Sequence, residues 1–203
     1  MFTGIIQGKY PVVEIEEKIG LKSFVIEFPK ENIDGLQIGA SVAINGACMT
    51  VVSIEDQRVR FDVMQESLEK TNLGQVKRND LVNIERSAKM GDEIGGHVMS
   101  GHIIGMAEII KIEIPENNHV VTFKVASELM KYILDKGFVG LDGASLTIVN
   151  PDKKEGTFDV WLIPETLRQT MYSDRRIGDK VNVELDSRTQ IIVDTVERVL
   201  RDR

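Results

Sequence analysis

The chain has 203 residues, 25 Lys and Arg against 32 Asp and Glu for a formal net charge of −7, 42% hydrophobic residues and one cysteine. This composition excludes a disordered or collagen-like chain, and its acidic balance argues against nucleic acid as the main partner. A lone cysteine forbids an internal disulfide, and neither a run of roughly 18 apolar residues nor a signal-type N-terminus is visible, so a cytoplasmic protein off the membrane is expected.

Along the first half, Lys22–Phe28, Ser41–Ile44, Met49–Ile54 and Val59–Val63 are rich in Val, Ile and Phe and separated by turn residues, which predicts short strands. A short helix is expected at Ser67–Thr71. A polar, glycine-rich stretch at Met90–Gly96 marks a boundary. Beyond it, Ala107–Ile114, Val120–Val125, Leu146–Val149 and Thr157–Leu162 read as strands, and Glu128–Lys136 and Glu165–Thr170 as helices. From Ser187 the pattern changes. Ser187 and Gln190 fit a capping box, and Ile192, Val193, Val196, Val199 and Leu200 recur at three- and four-residue spacing. That helix needs a partner, either its own barrel or the tails of other subunits.

The two halves match each other. A shift of 97 residues lays FTGIIQG at Phe2 over MSGHIIG at Met99, NGACMTVV at Asn45 over DGASLTIV at Asp142, and Phe61-Asp62-Val63 over Phe158-Asp159-Val160. Two residues then enter the second copy, and a shift of 99 lays VNIE at Val82 over VNVE at Val181. One shift serving three separated blocks marks a duplication. Many short strands in each copy predict a small barrel or sandwich. The expected units are an N-terminal one at 1–95, a second at 96–186 and a helix at 187–203.

The duplication also points to chemistry. Cys48 and Ser145 occupy the same turn, each two residues before a threonine, Thr50 or Thr147. Two related pockets are expected there. His97 and His102 lie five apart in GGHVMSGHIIG, which suits no familiar zinc motif. A histidine there suits acid–base work, and His102, beside Gly101, is the favoured one. Asp62, Glu66 and Glu165 form either a solvated rim or acceptors for a polyhydroxyl or heterocyclic ligand. No dinucleotide or phosphate fingerprint is present.

These blocks together resemble the riboflavin synthase family, from MFTGI through NGACMTV, GGHVMSGHI, KYILDKGFVGLDGASLTI and LIPETL to DTVERVL, across essentially the whole chain. The resemblance implies an all-β fold of two similar six-stranded Greek-key barrels from an internal duplication, plus a C-terminal α-helix used in trimerisation. It implies 6,7-dimethyl-8-ribityllumazine as substrate, two molecules of which exchange a four-carbon unit to give riboflavin and 5-amino-6-(ribitylamino)uracil. It implies no metal and no redox cofactor, and it leaves association with lumazine synthase open.

By motif position, the N-barrel pocket takes Gly4, Ile5, Ile6, Cys48, Met49 and Thr50, with Asp62, Val63, Met64, Gln65, Glu66 and Ser67. The C-barrel pocket takes Gly101, His102, Ile103 and Lys136, then Ser145, Leu146 and Thr147, and finally Trp161, Leu162, Ile163, Pro164, Glu165 and Thr166. Ser41 and Asp142 stand behind them. Cys48 or a bound water supplies a nucleophile, while His102, Ser145 and Thr147 polarise the ring and manage protons. A non-catalytic lumazine- or flavin-binding protein with the same barrels is the competing reading, because fold alone does not decide function.

Overall fold

A computed structural model describes residues 1–116 and 118–202. Strands β1 (Gly8–Lys18), β2 (Leu21–Glu27), β3 (Ser41–Ile44), β4 (Ala47–Glu55), β5 (Arg58–Met64) and β6 (Leu81–Arg86) close into a barrel in the order β1-β2-β5-β4-β3-β6. A single turn, α1 (Lys30–Ile33), follows β2, and α2 (Gln65–Lys70) follows β5. Along β5 the period is two: Val59, Phe61 and Val63 are buried, and Arg58, Asp62 and Met64 face outward. Phe24, Phe28, Phe61, Val12 and Ile44 fill the interior.

The second half repeats the design with β7 (Gly105–Glu113), β8 (His119–Lys124), β9 (Phe138–Leu141), β10 (Ala144–Thr147), β11 (Val149–Asp152), β12 (Thr157–Leu162), α3 (Pro164–Gln169) and β13 (Lys180–Leu185). Its sheet runs β10-β9-β13-β7-β8-β12-β11, seven strands where six were expected. The extra strand is a break at Ile148: β10 pairs with β9 and β11 with β12, as the two ends of β4 pair with β3 and β5. Even the bulges recur, between Val12 and Glu14 and between Ile109 and Lys111. Phe123, Phe158 and Tyr172 fill this second core.

Two expected helices come out differently. Glu128–Lys136 is a single 3-10 turn, Ser127–Leu129, followed by turns. Leu129, Met130, Tyr132 and Ile133 are all buried, and Lys136 stands at φ +61°, outside helical backbone. The last helix, α4 (Ser187–Arg201), is capped by Asp186, whose carboxylate accepts from the Thr189 backbone N–H at 3.0 Å. The cap therefore lies one residue before the expected box. Among the described residues, no helix is long and apolar enough to cross a membrane.

The barrels meet across a pseudo-twofold axis. Phe2 and Met99 exchange backbone hydrogen bonds of 2.8 and 2.9 Å. The Asn45-Gly46 and Asp142-Gly143 turns, with positive φ at all four residues as two-residue hairpins require, abut each other. Behind them Asn83 Nδ2 donates to the Asp142 carbonyl at 3.0 Å, and Asn182 Nδ2 donates to the Asn45 carbonyl at 2.8 Å. A Cβ at Gly46 would lie 2.6 Å from the Gly143 nitrogen, with φ at +80°. Gly46→Ala is therefore expected to destabilise the chain by about 2–5 kcal/mol, the sum of left-handed strain and overpacking, seen as a lower thermal midpoint.

Candidate ligand-binding site

The duplicated turns place Cys48 and Ser145 at equivalent points beside the axis, both partly exposed. Each is held by the leading segment of the other half. The Cys48 N–H donates to the Gly101 carbonyl at 2.8 Å, and the Ser145 N–H donates to the Gly4 carbonyl at 2.9 Å. Two segments of the sequence-based pockets are therefore exchanged. Gly101, His102 and Ile103 complete the N-barrel site, and Ile103 packs on the N-barrel core. Gly4 sits against Ser145, and Ile6 belongs to the C-barrel core.

Around Cys48 lies a cavity of about 220 Å³, lined by Met49, Glu66, Ser67, Lys70 and Thr71 from the N-barrel and by Gly101, His102 and Ile103 from the other half. Strand alternation sorts the remaining expected residues. Val63 and Leu162 are buried in the two cores, so their side chains do not face a ligand. Leu146 is likewise in the C-barrel core. Thr50, Asp62, Met64, Gln65 and Glu66 are exposed on the outer face of the N-barrel, as are Thr147, Trp161, Ile163, Pro164 and Glu165 on the second, with Thr166 half-buried. Asp62 accepts from Ser23 Oγ at 2.6 Å, as Asp159 accepts from Thr122 Oγ1 at 2.7 Å. Lys136 is exposed at φ +61°, its N–H donating to the Ile148 carbonyl at 2.9 Å. Asp142 is buried at the turn and ion-paired with Arg175.

The second site carries a feature that the sequence reading passed over. His97 Nδ1 lies 2.6 Å from Ser145 Oγ, and its ring stacks on Phe138 with centroids 5.2 Å apart. Burial holds the His97 imidazole below its usual pKa, with Asp186 opposing. Its Nε2 is buried and unpartnered among the described residues. A neutral histidine on a serine hydroxyl can take and return a proton. Gly96 makes this possible, since a Cβ there would lie 2.4 Å from the Thr3 carbonyl oxygen and 2.6 Å from Ser145 Cβ. His102 lines the Cys48 cavity and its backbone N–H donates to Ser100 Oγ at 3.3 Å. Each site thus has one histidine and one small hydroxyl or thiol side chain, and at the second they are in hydrogen-bond contact. Among the described residues no group of three or more metal-ligating side chains converges.

A duplicated barrel pair, with a cavity at the Cys48 turn closed by the other half's leading segment and the Ser145 turn held by its counterpart in the same way, defines a tandem small-molecule-binding protein. The lumazine binding domain model matches twice, at residues 3–87 and 100–186. Riboflavin synthase of Escherichia coli strain K12 is 53% identical over 206 aligned residues, covering 100% of this chain and 95% of that protein. Riboflavin synthase of Chlamydia pneumoniae is 44% identical, covering 98% and 97%. Among solved structures, LumP complexed with riboflavin superposes with a TM-score of 0.85 at 26% identity, covering 92% of this chain and 100% of that one. LumP complexed with 6,7-dimethyl-8-(1'-D-ribityl) lumazine gives 0.82 at the same identity and coverage. The chain belongs to the riboflavin synthase family, with two lumazine-binding domains in tandem.

Proposed function

We propose that the chain is a transferase that converts two molecules of 6,7-dimethyl-8-ribityllumazine into riboflavin and 5-amino-6-(ribitylamino)uracil. The observation that carries this reading is 53% identity to a riboflavin synthase across the full chain. The duplication gives it a physical basis. The two reactants are one compound, and two related pockets can each hold one copy, which removes much of the entropic cost of their encounter. Four carbons leave one ring and join the other, so the pair of substrates undergoes no net oxidation.

In this reading residues 1–95 and 96–186 are the two lumazine-binding units, and 187–203 is a trimerisation helix. One half-site uses Cys48, Met49, Thr50, Glu66 and Ser67 with His102 and Ile103. The other uses Ser145, Thr147, Trp161, Glu165 and Thr166 with Gly4 and Ile5. A nucleophile adds at C7 of the donor, and the acceptor gives up a proton from its C7 methyl group. Ser145 with His97 is the pair best placed to move that proton, given their 2.6 Å separation. The lone cysteine fits a cytoplasmic setting.

The test is anaerobic incubation of the purified chain with the lumazine and no added cofactor. One riboflavin per two lumazines consumed is the expected result, read by chromatography. Tight lumazine binding without turnover would move the chain to the binding-protein reading.

A further inference from the structure

Two buried carboxylates stand behind the crossed segments. Glu184 on β13 is 4% exposed; its Oε1 accepts from the Ser100 N–H at 2.6 Å and the Ser100 hydroxyl at 2.8 Å, and its Oε2 accepts from the Gly101 N–H at 3.0 Å. Glu85 on β6 is 2% exposed and repeats the pattern with the Thr3 N–H at 2.6 Å, the Thr3 hydroxyl at 2.8 Å and the Gly4 N–H at 3.1 Å. Burying a carboxylate is costly unless its oxygens are satisfied, and three donors face each of these, although at Glu85 burial still outweighs them and raises the carboxyl's pKa.

The consequence crosses the molecule. Glu184 belongs to the C-barrel, but the segment it grips carries Gly101 onto the Cys48 N–H and His102 into the N-barrel cavity. Glu85 belongs to the N-barrel, but the segment it grips carries Gly4 onto the Ser145 N–H. We propose that Glu184 and Glu85 are positioning residues, each setting the ligand site of the opposite barrel. The proposal rests on the reading that both pockets take a lumazine. There is little slack for the segment to sit elsewhere, because Gly101 approaches Cys48 so closely that a Cβ would lie 2.6 Å from the Cys48 Cβ. Glutamine cannot replace either residue faithfully. Its amide NH₂ would face a backbone N–H that needs an acceptor.

Cys48 is the sole cysteine, so its labelling by an aromatic disulfide reagent reports the N-barrel site alone. Glu184→Gln is expected to speed labelling of the full chain about tenfold, the worth of one lost charge-assisted hydrogen bond, while Glu85→Gln labels at the wild-type rate. With 6,7-dimethyl-8-ribityllumazine both variants should show a KM raised about tenfold, with kcat changed less. Equal acceleration in both variants, or in neither, overturns the proposal. Should Glu184→Gln not fold, Ser100→Ala and Thr3→Val remove the clamp hydroxyls, each of which donates to its glutamate and accepts from the N–H two residues on, and only Ser100→Ala should speed labelling. If the wild-type chain forms no riboflavin, the proposed function fails, while the labelling contrast still decides the clamps.

Discussion

Replacing His97 with glutamine is expected to lower kcat by about 10²-fold or more with little change in KM. That is the usual contribution of a positioned acid–base group. The substitution keeps a polar side chain of similar size but removes the titratable ring 2.6 Å from Ser145 Oγ. A loss confined to kcat would mean that the interaction matters in the transition state and not in ground-state binding. Steady-state turnover of the lumazine measures it, and a variant with wild-type kcat would remove His97 from proton transfer.

The same residue carries a pH signature. Burial holds the folded-state pKa of His97 below its usual value. Below about 6.5, the reference value, the unfolded chain therefore binds a proton that the folded chain does not. His97 thus leaves stability intact above that pH and costs stability as pH falls below it. The wild-type thermal midpoint should drop on the acid side, and the His97→Gln midpoint should drop less.

The duplication made most of the fold legible, because a constant shift carries each strand and turn of one copy onto the other. The long first strand was not legible in the same way. Pro11 and the exposed Glu14, Glu16, Glu17 and Lys18 break its apolar alternation, although it pairs along its length with β2 and β6. Nor does a repeat say which barrel a leading segment packs against. Gly4 and Gly101 are equivalent in sequence, and only the crossing at the axis shows that each serves the other barrel's site. His97 was obscured for a related reason. It lies just ahead of the block at Met99 that the repeat matches, outside the blocks that raised interest in Cys48, Ser145 and His102. A signal was present all the same: Phe138 stands in the second copy where the first has Ser41, and it is Phe138 that stacks on the His97 ring.

Ending the chain at Asp186 is expected to reduce the proposed trimer to smaller species in light scattering and to lower turnover more than 100-fold, while lumazine binding survives. The tail is already docked in cis along one side. Val193 packs on the C-barrel core, Tyr132 Oη donates to Asp194 at 2.5 Å, and Lys131 pairs with Asp194 and Glu197 at 3.1 and 2.7 Å. The other side has no cover among the described residues: Ile191, Ile192, Val196, Val199 and Leu200 are all exposed, from 47% to 66%. A contiguous apolar face of that kind is the usual mark of an association surface. The pocket rims tell the same way. Met64, at the entry to α2, and Trp161 and Ile163, at the entry to α3, are each more than half exposed. A neighbouring subunit that covered them would bring one chain's Cys48 site against another's Ser145 site. Truncation would then spare each pocket but separate the reactants. Because holding two reactants together is worth effective molarities of about 10⁵–10⁸ M, the loss should fall on turnover and not on binding. A truncated chain that remained trimeric, or a monomer with full activity, would place the reacting pair within one subunit and the tail outside the mechanism.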